Sequence, residues 1–217
     1  MKNGRRVASR TRGRPKAADV VPGEEILAVA LRTFATYGYD GVSLQMINKE
    51  LGASRNLTYQ RFGTKEDLWK AAVDYGFGGL VDHSRALWDP TITDPLEQLR
   101  LAIRRFVLYS AQHPELLGLM SIEGRQNTER LNYIYDTYIE PSQRPLARLL
   151  KHLADEGKIR AIPYRTFFFL FAHGGASSFT LAPLAMKFDR SDPSSPRNAE
   201  KQADLAAAII VEGLRLR

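Results

Sequence analysis

The sequence predicts an all-α protein, with a short three-helix unit at the N-terminus and a larger helical bundle after it. Three observations lead there. Apolar residues recur at three- and four-residue spacing along most of the chain, and no segment alternates convincingly as a strand would. Residues that start and stop helices bound most of these segments. The Phe-rich helix near the C-terminus lacks a polar face, so something must cover it on every side.

The elements follow in order. Glu24 to Tyr37 carries Ile26, Ala30, Leu31 and Phe34 on one face, between Pro22 and Gly38. Ser43 can cap a short helix with Leu44, Ile47 and Leu51, which Gly52 ends. Ser54 can cap the next, about two turns long, to Phe62. Thr64-Lys65-Glu66-Asp67 resembles a capping box with Asp in place of Glu. It opens a long helix through Leu68, Ala71, Ala72 and Tyr75, with Gly76, Gly78 and Gly79 as candidate bends. Asp89-Pro90 and Asp94-Pro95 then punctuate the chain. The expected division is an arm over 1–22, a helix-turn-helix domain over 23–84 and a helical domain over 85–217. Asp94 and Pro95 begin a helix to Ala111, and Pro114 starts a short one. Glu129 to Glu156 is a long helical segment with kinks expected at Pro141 and Pro145 and a stop at Gly157. Two apolar helices, Tyr164 to Leu181 and Ala199 to Leu214, close the chain. Residues 183–198 between them read as a loop from their Pro, Ser and Asp content.

Composition narrows the function. No run of about 18 apolar residues occurs, so no membrane partner is expected. The basic N-terminus lacks the apolar stretch of a secretory signal, and the absence of cysteine removes disulfides and thiolate metal sites. A cytoplasmic protein is the expectation. Lys2, Arg5, Arg6, Arg10, Arg12, Arg14 and Lys16 precede the first acid, Asp19, and match the net charge of +7. The rest of the chain is therefore neutral. A basic arm on a neutral body points to a polyanion, or is a solvated tail. Arg12-Gly13-Arg14-Pro15 disfavours helix, and two guanidinium groups along an extended backbone suit a narrow minor groove.

The stretch Gly52-Ala53-Ser54 joins two short helices in a helix-turn-helix pattern. Gly52 suits a positive φ, and the second helix would present its first residues to base edges in the major groove. Arg55 can pair with a guanine and Asn56 with an adenine. Tyr59, Gln60 and Lys65 can reach phosphates, Ser43 helps hold the helix to the backbone, and Gln60 also faces the groove; Ser54 and Arg61 belong to the same candidate DNA-binding surface. Leu44 and Leu57 are the apolar members of this candidate surface, Leu57 against a thymine methyl or turned inward.

Here the resemblance becomes specific. Ile26 to Leu68 resembles the DNA-binding domain of the tetracycline-repressor (TetR) family. The matching residues are Ala30, Phe34, Gly38-Tyr39, Ser43, Ile47, Gly52-Ala53-Ser54, Tyr59, Phe62 and Lys65-Glu66-Asp67-Leu68. The sequence departs from the family at Leu57-Thr58, directly before Tyr59. The resemblance implies a homodimeric regulator, a repressor by default, that binds a palindromic operator in double-stranded DNA. It also implies a C-terminal domain that binds a small-molecule effector and dimerises through its last two long helices.

The body can be read on its own terms as well. Phe167 and Phe171 belong to the helix without a polar face, and Gly174, Gly175 and Ser178 allow close approach. Ala203, Ala207, Ile210 and Leu214 recur at helical spacing on the last helix. Together they suit a symmetric four-helix contact between two copies, or the core of a single chain. Trp88, Phe106, Tyr109, Tyr133 and Tyr138 either line a ligand cavity or are simply core; His173 is a lesser candidate. No cofactor or metal site is expected, and no hydrolase or phosphate-loop motif occurs. Two rival classes remain: a helical enzyme carrying a helix-turn-helix, and an interaction bundle whose arm binds RNA or anionic membrane without sequence choice.

Overall fold

The computed structural model describes residues 21–86 and 88–216, apart from the side chains of residues 85 and 86. Residues 1–20 of the arm, with Arg12 and Arg14, lie outside them. Among the described residues the fold is all helix and turn, except for an isolated antiparallel bridge between Ile159 and Arg215. The helices are α1 (Gly23–Gly41), α2 (Leu44–Glu50), α3 (Leu57–Phe62), α4 (Lys65–Ala86), α5 (Pro95–Gln112) and α6 (Pro114–Glu123). They continue as α7 (Glu129–Ile134), α8 (Glu140–Asp155), α9 (Tyr164–Phe169), α10 (Gly175–Thr180), α11 (Ala182–Phe188) and α12 (Pro196–Leu214). No single helix among these residues is long and apolar enough to cross a membrane.

Where helix ends are fixed by neighbours in sequence, they fall as expected. Gly38 breaks α1 at φ 72°, Ser43 accepts from the Met46 N–H at 3.3 Å, and Asp94 accepts from the Leu96 N–H at 3.0 Å. Thr64 and Asp67 form the reciprocal box: the Asp67 carboxylate accepts from the Thr64 N–H at 3.1 Å, and the Asp67 N–H donates to Thr64 Oγ1 at 3.1 Å.

Other features need correction. Residues 183–198 are not one loop: α11 occupies 182–188, and α12 starts at Pro196, before the expected Ala199. Pro183 and Pro196 both sit in first turns, where no amide hydrogen is required. Only the turn between these helices is irregular, held by Asp189 and Asp192 accepting from the Ser191 and Ser194 amides at 2.9 Å. The break in the 129–156 segment is a π-helical turn at Tyr135–Ile139 rather than a proline kink. It brings Pro141 into the first turn of α8. A second π turn, Leu170–Gly174, joins α9 to α10. Gly76 has a packing role within α4, since a Cβ there would run into Leu31 and Leu116.

Two cores form: the first draws on residues from both sides of position 85, and the second lies wholly beyond it. The first gathers Ile26, Leu31, Phe34, Ile47, Leu68, Trp69 and Phe77 from α1, α2 and α4. Leu116 and Leu119 of α6, Ile134 of α7 and Ile139 complete it. The second packs Leu99, Ile103 and Val107 of α5 against Leu149 and Leu153 of α8, Phe167, Phe171 and Ala203, Ala207 and Val211 of α12. Each large side chain buried in this way stabilises the fold by about 1.5–3 kcal/mol. The N-terminal unit is thus seated on the body through α6 and α7.

Candidate nucleic-acid interface

The turn between α2 and α3 is organised by a residue absent from the sequence-based candidates. Gly52 takes φ 62°, as its position predicts. Asn48, buried on α2, reaches across the turn: its Nδ2 donates to the Arg55 carbonyl at 2.7 Å, and its Oδ1 accepts from the Thr58 N–H at 3.1 Å. Thr58 is the second residue of α3, so Asn48 satisfies one of the orphan donors of that helix. Ser54 has no such role, because α3 begins three residues after it, at Leu57. A polar residue on the inner face of a short apolar helix was the available signal.

Asn48→Ala should therefore cost about 1–3 kcal/mol, since it strips two partners at a largely buried site. Denaturant unfolding measures this, and unchanged stability would refute the clamp.

This clamp leaves Ser54, Arg55, Asn56, Tyr59, Gln60 and Arg61 on the outer surface, Tyr59 65% exposed. No acid occurs between Leu51 and Lys65, so the surface is cationic. Leu44 and Leu57 are half-buried against the first core, and Thr58 is wholly buried. Leu57 thus turns inward, which accounts for the unusual Leu57-Thr58 pair.

Lys65 also departs from its expected place. Its ammonium donates to the Tyr39 carbonyl at 2.9 Å and the Val42 carbonyl at 3.0 Å, and lies 4.2 Å from the Tyr39 ring centroid. The Tyr39 carbonyl also accepts from the Val42 N–H at 3.3 Å, and the cation adds a second donor there while capping the Val42 carbonyl. Lys65 anchors the corner before α2, with one N–H left over.

Residues 26–72 match the sequence pattern of bacterial regulatory proteins of the tetR family. This segment of the chain is similar to the N-terminal domain of that family. Within it lie α2, the Asn48 clamp and α3. The HTH-type transcriptional repressor AcnR of Corynebacterium jeikeium is 38% identical over 58 residues, 25% of this chain and 31% of that protein. The chain spans 31% of the length of AcnR and 25% of that of YezE of Bacillus subtilis, an uncharacterized HTH-type transcriptional regulator 44% identical over 48 residues. Likeness of fold extends further. A putative fatty acid metabolism regulator of Clostridium perfringens aligns at a TM-score of 0.67 and 18% identity, covering 88% of this chain and 99% of that one. The regulator FadR of Bacillus subtilis in complex with stearoyl-CoA aligns at 0.60 and 18% identity, over 88% and 98%.

In the body, Tyr109, Tyr133 and Tyr138 pack against the first core and Phe106 against the second. Tyr133 and Tyr138 both donate to Asp74 Oδ1 at 2.6 Å; that bond raises the Tyr133 phenol pKa, and burial followed by the same bond raises that of Tyr138. Tyr109 stacks on His83 at 4.2 Å and Phe106 packs edge-on against Phe171 at 4.8 Å. Trp88 borders a surface cleft with Pro145, Arg148 and His152, and His173 stacks on exposed Phe169 at 5.2 Å.

The expected subunit contact is also redistributed. Phe167, Phe171, Ala203, Ala207 and Leu214 are buried within one chain, because the small residues of α12 let it press onto α5. Gly175 is buried too: a Cβ there would stand 3.1 Å from Val107. Ser178 is half-buried and its hydroxyl has no partner. Outward lie Leu170, Gly174, Ile209 and Gly213, with half-buried Ala206 and Ile210, around an apolar groove of about 380 Å³.

Proposed function

We propose that the protein is a sequence-specific, DNA-binding transcriptional regulator, a repressor by default, that acts as a homodimer on a palindromic operator. The observation that carries this reading is the acid-free outer edge of the helix-turn-helix, with Arg55, Asn56, Tyr59, Gln60 and Arg61 exposed on a turn clamped from behind. Arg55 and Asn56 meet base edges, while Tyr59, Arg61 and Ser43 hold the backbone. The apolar groove between α9–α10 and α12 supports the dimer, since it leaves Leu170 and Ile209 more than half exposed. A small-molecule effector shifts the separation of the two N-terminal units. Because a similar fold has been solved with stearoyl-CoA, acyl thioesters of coenzyme A are the first class to test.

Selecting bound duplexes from a random pool tests the proposal. The expected product is a pair of inverted half-sites centred about 34–36 Å apart. A pool that stays random overturns it. Arg12 and Arg14 enter the minor groove, and their basic neighbours neutralise phosphates. A chain lacking residues 1–16 should bind every duplex more weakly, its log–log salt slope flatter by about 0.9 for each phosphate no longer neutralised. An unchanged slope would make the arm a bystander.

A further inference from the structure

One joint between the body and the N-terminal unit is built from charge. Glu123, at the end of α6, is 4% exposed, and Arg130 of α7 places its Nε 3.1 and 3.3 Å from the two carboxylate oxygens. The guanidinium carbon of Arg130 lies 4.3 Å from the Tyr39 ring centroid, the same ring that Lys65 approaches. Lys65 in turn holds the Tyr39 and Val42 carbonyls, and Val42 immediately precedes Ser43, the cap of α2. Four side chains thus run from a buried carboxylate in the body to the first helix of the helix-turn-helix. A parallel tie lies alongside, where Tyr133 and Tyr138 donate to Asp74 and Tyr133 packs on Trp69 at 6.2 Å.

Packing alone leaves small rotations between two apolar surfaces cheap. A planar cation held on two oxygens and facing a ring has directional preferences on both sides. Burial raises the Glu123 carboxyl above its ordinary value, against the pull of Arg130. Arg130 hydrogen-bonds both oxygens of that buried carboxyl while it meets Tyr39.

We infer that Arg130, held by Glu123, is a positioning residue that sets the orientation of the helix-turn-helix on the body, and through it the half-site spacing that the dimer accepts. This rests on the dimeric DNA-binding reading above. One inserted base pair changes the separation by about 3.4 Å and rotates one half-site by about 35°, so a rigid joint should reject it.

The test compares the full-length protein on its selected operator and on the same operator with one central base pair inserted. Arg130→Met alone would strand a buried carboxylate, so the variant is Arg130→Met with Glu123→Gln, neutral and similar in shape. The penalty for insertion should shrink by about tenfold in affinity ratio, while base preference within each half-site stays as in the wild type. Tyr39→Leu reads the joint from its other side and should shrink the penalty likewise, so the result does not depend on one variant folding. If the wild type discriminates spacing and both variants discriminate equally, the joint is overturned while the regulator reading stands. A wild type indifferent to spacing overturns both.

Discussion

Ile209→Glu is expected to turn dimers into monomers without unfolding the chain. Ile209 is 63% exposed and faces the apolar groove beside Leu170 and Gly213. In a symmetric contact the substitution places two carboxylates in one apolar interface, each costing several kcal/mol of desolvation without a partner. A dimer with a micromolar dissociation constant is worth about 8 kcal/mol, so two such charges remove most or all of it. In the separated chain the same glutamate remains in water, where surface changes cost within about 0.5 kcal/mol. Sedimentation across concentration and a melting curve read the two effects apart. Ala207→Glu is the contrast: Ala207 is buried inside the chain, so that change should unfold it. A wild type that is monomeric at micromolar concentration refutes the dimer.

The second large effect concerns Arg55. Arg55→Ala should cost about 1–3 kcal/mol per half-site and, on a palindrome, roughly twice that, while relaxing the preference at one base pair of each half. Lys65→Ala should behave differently, because its ammonium holds the Tyr39 and Val42 carbonyls. It should lower stability and weaken all sequences alike, with the salt slope unchanged, whereas removing a phosphate-neutralising cation would flatten that slope by about 0.9. Specificity profiles over all single-base variants of the selected site, taken at two salt concentrations, separate these outcomes. An Arg55→Ala profile identical to wild type would mean that α3 does not present this edge to the groove.

The sequence by itself determined the class, most helix ends and the exposed edge of the turn. Those features depend on residues a few positions apart: Thr64 with Asp67, Asp94 with Leu96, and Gly52 at its own positive φ. Local geometry is nearly the same in any fold, so such signals survive without tertiary knowledge. Only the tertiary structure decided where α3 begins, because its orphan amide is met by Asn48, ten residues back. Packing likewise moved Lys65 from a phosphate to the carbonyls at the end of α1, and set Tyr109, Tyr133 and Tyr138 against the first core and Phe106 against the second. The faces of α12 make the same point. Ala203 and Ala207 repeat every four residues, and so do Leu205 and Ile209, so periodicity shows two apolar stripes and cannot rank them. α5 chose between them: it fits closely against the small alanine stripe, which leaves the larger leucine and isoleucine side chains outside.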